Sequence, residues 1–177
     1  MLVSEKLQGE KIYLKNLSKA HDFSGYCSWL KDPVVNKFLE VRVESEKNIQ
    51  DLQGYVTNCN ESSNTILWGI FNYKNKHIGN IKASSINFTH QNAEIGMIVG
   101  DVNYWGLGVS TEAIGLVCSF LTNRFQTKKL FAGAYANNIG SIRAFEKNGF
   151  VIEGCQKNFF LDENRVRQDK IILGFEN

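Results

Sequence analysis

The sequence predicts an α/β (α+β) domain: a central mixed, mostly antiparallel, twisted sheet flanked by helices. Three observations lead there. Apolar residues recur along the chain in short runs that switch between strand-like alternation and helical spacing. The elements so marked follow the order β-α-α-β-β-β-α-β-α-β-β, which mixes antiparallel meanders with α/β crossovers. The 177 residues hold one proline, no Gly/Ser-rich linker and no solenoid-length repeat, so residues 1–177 read as one domain.

Lys11 to Leu17 places Ile12 and Leu14 between polar neighbours and reads as a strand. Ser18 is a candidate cap for a helix with Phe23, Tyr26, Cys27 and Leu30 on one face, and Pro33 ends it. A second helix is expected from Ser45, with Ile49, Leu52, Val56 and Cys59 at helical spacing. Strands follow at about 65–73, 77–88 and 93–100, with a hairpin turn at Asn72 to Lys76. After a glycine-containing loop, Ile114, Val117, Cys118, Leu121 and Phe125 mark a helix from about Ser110. Lys129 to Ala136 is a strand, Asn138 to Asn148 a helix, and Gly149 its left-handed terminator. Two strands around a turn at Asp162-Glu163-Asn164 close the chain.

Composition narrows the function classes. Hydrophobic residues make up 43% and charged residues 21%, as in ordinary soluble domains. A net charge of +2, with Lys128-Lys129 the one adjacent basic pair found, argues against nucleic acid as partner. No run approaches a membrane span, and Met1 to Glu10 lacks a secretory h-region. Cys27, Cys59, Cys118 and Cys155 are widely spaced and only three histidines are present, so neither a zinc site nor a disulfide framework is expected. A reduced, cytoplasmic setting without a metal fits best.

The chemistry concentrates in Glu94-Ile-Gly-Met-Ile-Val-Gly-Asp-Val-Asn-Tyr-Trp-Gly-Leu-Gly-Val-Ser-Thr-Glu-Ala113. It reads as strand, glycine loop and helix start. Glycines admit a ligand close to the backbone, and the helix start behind them offers unpaired N–H groups and a positive dipole end. That combination suits a diphosphate. A Walker loop is excluded by the absence of Gly-Lys-Ser/Thr, and a dinucleotide fingerprint by Thr111 at the third glycine position.

A second block, Asn138-Ile-Gly-Ser141-Ile-Arg-Ala-Phe145-Glu-Lys-Asn-Gly149-Phe150, lies on the next helix. Together the two blocks resemble the GNAT superfamily. Tyr104-Trp-Gly-Leu-Gly-Val-Ser-Thr-Glu-Ala113 and Phe145-Glu-Lys-Asn-Gly-Phe150 are similar to its RimJ/RimL-like branch. The resemblance covers about 11–175 in element order. It implies an acetyl-CoA-dependent N-acetyltransferase fold and activity, with acetyl-CoA as acetyl donor and a primary amine as acceptor.

The resemblance assigns residues as follows. Trp105, Gly106, Leu107, Gly108, Val109 and Ser110 form the pyrophosphate loop, with Trp105 in place of Arg/Gln, Ser110 in place of Gly/Ala, and Leu107 where a basic residue is common. The preceding strand splays from the next, often at a bulge, and Ile98, Val99 and Gly100 contact the pantetheine arm. An N–H in this stretch would stabilise the oxyanion of a tetrahedral intermediate. Asn138 bonds the arm, and Arg143 or Lys147 is placed to reach a phosphate. Phe145 stands at the position of the usual acid tyrosine, which leaves Ser141 as candidate proton donor to the thiolate. If Gly149 is C′, Phe145 and Phe150 are the pair that packs in a Schellman cap.

Glu94, which shares strand parity with Gly96 and Ile98, is the candidate base. Glu40 is its rival, with Arg42 as substrate ligand or ion-pair partner. Deprotonating a lysine of pKa about 10.4 at neutral pH costs about 4.6 kcal/mol, whereas an α-amine of pKa about 7.8 costs about 1.1. An acceptor of low pKa is therefore favoured. A nucleotide-linked amino sugar or other small amine is the first reading. Acetylation of the N-terminal α-amine of a (ribosomal) protein is the second, and a non-catalytic CoA-binding module the third. Trp29, Phe38, Trp68, Phe159 and Phe160 are available to the acceptor side or to the core. Related folds often dimerise, so a homodimer is expected.

Overall fold

The computed structural model describes residues 6–39, 48–162 and 164–177. Its strands are β1 (Leu7–Gln8), β2 (Ile12–Asn16), β3 (Ile66–Asn72), β4 (His77–Asn87), β5 (Asn92–Val99), β6 (Lys129–Tyr135), β7 (Val151–Leu161) and β8 (Arg167–Glu176). Its helices are α1 (Ser24–Lys31), α2 (Ile49–Glu61), α3 (Val109–Phe125) and α4 (Ile139–Glu146). The strands form one sheet in the order β1-β2-β3-β4-β5-β6-β8-β7. Every neighbouring pair is antiparallel except β5–β6. The expected order holds, with β1 added; two residues are too few to show a period.

Helices cover both faces. Ile114, Val117 and Leu121 of α3 and Phe145 of α4 join Ile12, Leu14, Ile81 and Ile95 of the sheet. Tyr26 of α1 and Leu52 and Val56 of α2 join Tyr13 and Phe71 on the opposite face. Central strands are therefore buried on both sides, which explains the unbroken apolar run Ile66 to Phe71. It also explains Tyr13, 4% exposed between Ile12 and Leu14, where alternation predicted a polar-facing position.

The start of α1 differs from expectation. Ser18 lies in a turn, its carbonyl accepting the His21 N–H, and α1 begins at Ser24 behind Asp22, whose Oδ1 accepts the Ser24 N–H at 2.9 Å. Asp32, extended at ψ 116° ahead of Pro33, ends α1 as expected. The proposed start at Ser45 lies outside the described residues. Within them, α2 opens on a reciprocal capping box between Asn48 and Asp51. The Asn72–Lys76 hairpin closes through the Asn72 N–H on the Lys76 carbonyl, 3.1 Å. Of the final turn, Glu163 lies outside the described residues.

The end of α4 forms a Schellman cap. The Phe150 N–H donates to the Phe145 carbonyl and the Gly149 N–H to the Glu146 carbonyl, at 3.3 and 2.9 Å. Gly149 sits at φ +84°, and the Phe145 and Phe150 rings meet edge to face at 5.0 Å. Gly149→Ala should cost about 1–2 kcal/mol, the left-handed penalty of an L-residue, and lower Tm by roughly 2–8 °C in calorimetry. Gly140→Ala, on the same helix with nothing near its Cβ, should show no such loss; equal Tm for the two variants would refute the cap's role.

Candidate active site

β5 and β6 pair only through Asn92, Ala93 and Glu94, opposite Lys129, Leu130 and Phe131. Beyond Glu94, β5 stays with β4 as far as Val99, while β6 follows β8. The sheet thus opens into a wedge. The expected bulge is not in β5 at this point; the irregularity in its ladder with β4 falls between Ser84 and Asn87. The Gly100 N–H donates to Ile78 of β4 at 2.9 Å. By strand alternation Ile98 also turns its main chain to β4, and the main chains of Met97 and Val99 face the wedge. The Trp105 indole N–H donates to the Val99 carbonyl at 2.8 Å, bridging the mouth of the wedge.

The loop that follows is shaped by two left-handed glycines, Gly106 at φ +74° and Gly108 at φ +84°. A Cβ on Gly106 would meet nothing within 4 Å, so the loop is open on that side. Gly108 caps α3 without a side chain, and the first intrahelical bond runs from Glu112 N–H to the Gly108 carbonyl. The amides of Val109, Ser110 and Thr111 therefore have no intrahelical partner and carry the helix's positive end. Lys11 closes the loop from behind: its Nζ donates to the Leu107 carbonyl at 2.9 Å, and its main-chain N–H donates to Glu112 Oε1 at 3.0 Å.

Two large clefts meet at the wedge. The first, about 950 Å³, is lined by the glycine loop, the starts of α3 and α4, and Pro33 to Leu39. Its charged lining among the described residues is all basic: Lys37, Arg143 and Lys147. The second, about 990 Å³, lies toward α2 and carries Asp51, Lys82 and Glu94. A smaller space of about 90 Å³, the passage between Gly96 and Gly133, shares lining residues with both and is bounded also by Met97, Asn138, Ser141 and Phe145. Phe38 and Met97 line all three spaces.

The expected residues distribute across this arrangement. Val99, Trp105, Gly106, Gly108, Val109, Ser110 and Asn138 line the first cleft, and Ile98 lines both. Leu107 and Gly100 line neither. Leu107 turns outward, 55% exposed, and Gly100 lies under the Trp29 ring with its N–H already given to Ile78. Ser141 borders the first cleft and the passage; its main-chain N–H is held by Asn138 Oδ1 at 3.3 Å. Glu94 is half-buried in the second cleft, with no partner for its carboxylate among the described residues. Glu40 and Arg42 lie outside the described residues. Of the aromatics, Trp68 is fully buried in the core and Phe38 reaches the clefts.

Sequence reasoning missed Met97, Gly96, Gly133, Asn80 and Lys82. Gly96 was within reach, since it shares parity with Glu94; the others depend on which strands become neighbours. Behind the second cleft, His21 Nε2 meets His77 Nδ1 at 2.9 Å, and His77 Nε2 meets Asn80 Oδ1 at 2.9 Å. Burial pulls the His77 pKa down to about 4. Burial likewise pushes the Tyr26 phenol up to about 12. Both side chains are therefore uncharged near neutral pH.

The model of the acetyltransferase (GNAT) domain family matches residues 11–151. An uncharacterised protein of Methanocaldococcus jannaschii is 27% identical over 146 residues, 81% of this chain, and the chain spans 28% of that protein's length. The probable N-acetyltransferase YjcK of Bacillus subtilis is 28% identical over 179 residues, 97% of each chain. The spermidine N-acetyltransferase of Vibrio cholerae, solved with CoA and spermine, superposes with a TM-score of 0.82 at 17% identity, covering 94% of this chain and 95% of that one. The microcin C7 self-immunity acetyltransferase MccE, solved with acetyl-CoA and AMP, has a TM-score of 0.81 at 20% identity, covering 96% and 94%. Among the described residues no helix is long and apolar enough to cross a membrane.

Proposed function

The chain belongs to the acetyltransferase (GNAT) domain family and is an acetyl-CoA-dependent N-acetyltransferase; from that premise we propose that it acetylates a small primary amine, of the kind a nucleotide-linked amino sugar carries. The observation that carries the reading is the wedge: one basic cleft and one mixed-charge cleft that share Met97 and Ile98 of the strand that splays away.

The first cleft suits the donor. Its uncapped helix start, open glycine loop and all-basic charged lining fit a polyphosphate. The donor supplies the activated acetyl thioester. On this reading the main-chain N–H groups of Met97 and Val99 lie along its arm and polarise the carbonyl. Glu94 takes the proton from the amine as nitrogen bonds to the acetyl carbon. Ser141 passes a proton to sulfur as the C–S bond breaks and regains one from solvent, while Glu94 releases the amine's proton to solvent. Phe145 is committed to the helix cap and cannot share that task.

The acceptor enters through the second cleft. Its charged lining is mixed, Asp51 and Glu94 with Lys82, and the lysine has no counterpart charge on a polyamine, the ligand of the Vibrio cholerae neighbour. A nucleotide occurs together with acetyl-CoA in the MccE structure, which is compatible with a nucleotide-linked acceptor. A peptide N-terminus is the second reading; Asp51 and Glu94 in the cleft suit its ammonium, and Lys82 beside them suits an acceptor that also carries an anionic group.

The test has two parts. Acetyl-CoA at 100 times its Kd should stabilise the protein by about 2.7 kcal/mol, roughly 5–10 °C in Tm, with no shift from NADH or ATP. Thiol release is then followed over amino sugars, simple amines and peptides. Glu94→Gln and Ser141→Ala should each lower kcat/KM about 100-fold, the first leaving acetyl-CoA affinity unchanged. Unchanged turnover in both variants would sink the assigned roles.

A further inference from the structure

We infer that Asn80 and Lys82 form a binding site, within the second cleft, for an anionic oxygen group carried by the acceptor: a carboxylate or a phosphate. The inference rests on the reading of that cleft as the acceptor's.

Asn80 is 3% exposed, and its Nδ2 has no hydrogen-bond partner. Leaving such a donor unmade in a folded protein is costly. The side chain cannot turn away to find water, because its Oδ1 is held by His77 Nε2, and His77 Nδ1 is held in turn by His21. With both rings neutral and protonated on Nε2, every donor in this chain points one way, from His21 through His77 to the Asn80 carbonyl. The Asn80 NH2 is left over at the cleft wall.

Lys82 lies two residues along the same strand, so both side chains rise from one face of the sheet, roughly 7 Å apart. Its ammonium stands over the Tyr55 ring at 5.8 Å, and no carboxylate among the described residues pairs with it. Glu94, in the same cleft, makes no ion pair with it. Lys82 faces Gly96 across the ladder and Glu94 faces Ser84, which makes the two charges diagonal neighbours on one face.

The two groups have one property in common. A lysine ammonium and an amide NH2 only donate, so what satisfies them together is an oxygen-rich acceptor, best a charged one. Glu94 lies toward the far end of the same face and suits the ammonium form of an arriving amine. The cleft is thus dipolar along β4 and β5. An acceptor bearing an amine and an anionic group roughly one strand repeat apart, about 7 Å, lays its charges along it. A hydroxyl-only analogue leaves Lys82 and Asn80 as they are.

Matched amine pairs test this on the full chain with acetyl-CoA: 2-aminoethyl phosphate against ethanolamine, glucosamine 6-phosphate against glucosamine, and β-alanine against its amide. The anionic member should be preferred by about tenfold or more in kcat/KM. Whether the phosphate or the carboxylate pairs show the larger ratio distinguishes the two sources. Lys82→Met should collapse the ratio toward one through KM, with acetyl-CoA affinity within twofold. Asn80→Asp keeps an oxygen for His77 but replaces the NH2 with a second oxygen, and should reverse the preference. Equal turnover within every pair, or a preference that survives Lys82→Met, overturns the site. If no pair is acetylated, calorimetric titration of 2-aminoethyl phosphate and β-alanine into the CoA-saturated protein decides: heat lost in Lys82→Met sustains the site, and no heat overturns it. Failure of acetyl-CoA itself to shift Tm would instead count against the donor reading.

Discussion

Replacing Gly96 by valine is expected to leave a folded protein that binds acetyl-CoA normally and acetylates its acceptor about 100-fold more slowly. Gly96 borders the second cleft and the passage, and a Cβ built on it meets nothing within 4 Å. The missing side chain is therefore an opening toward solvent, where packing needs nothing. On the proposed reading that opening is where the amine stands, between Lys82 across the ladder and Glu94 along the strand. Two methyl groups there would displace it by more than the ångström that a bond-forming approach tolerates. A strand-interior glycine has little to lose structurally, so Tm should hold or rise. Three measurements decide it: Tm, acetyl-CoA affinity, and kcat/KM for the acceptor. Retained turnover with normal stability would mean that the amine does not approach over Gly96.

Acidification should weaken the fold through His77. In the folded chain its pKa is held near 4 by burial; in the unfolded chain it titrates near 6.5. Between those values the unfolded chain binds a proton that the folded chain refuses, so stability falls as pH drops from about 6.5 to about 4. At 1.36 kcal/mol per pH unit the loss approaches about 3 kcal/mol. His21, also pulled down by its burial, adds in the same direction. With the rings 2.9 Å apart at their nearest nitrogens, both cannot carry charge together. Urea unfolding at pH 7.5, 6 and 4.5 measures the slope, and His77→Gln isolates it from the general titration of carboxylates. The variant should begin less stable and lose less on acidification. Parallel slopes for the two proteins would show that His77 takes up its proton without cost.

The elements read most directly from the sequence are those whose burial is one-sided or complete. The Ile114 to Phe125 stripe and the three strands between residues 65 and 100 follow their apolar pattern to within a residue or two. Helix starts were harder, because the polar segments before α1 and α2 offer several capping residues. Asp22 takes the role expected of Ser18, and Asn48 caps α2 within the described residues. The glycine loop was legible as a loop, since two glycines beside a helix start have few other uses. The second cleft was not. Asn80 and Lys82 look like polar residues of an ordinary strand until register sets them beside Ile98 and Gly96. Likewise, nothing local to Gly100 reveals that Trp29, far away in sequence, lies over it.

The tether at Lys11 reaches further than its two bonds suggest. One residue holds the glycine loop by its side chain and α3 by its main chain, and Glu112 fills the space that a side chain at position 9 would need. The Tyr73 hydroxyl fastens the Gly9 carbonyl from the other side. The stretch from Leu7 to Lys11, almost all of it ahead of the part matched by the family model, is thereby scaffolding for the glycine loop and the start of α3. A chain begun at the first matched residue would keep Lys11 but lose the Gly9 contacts that hold it against the glycine loop.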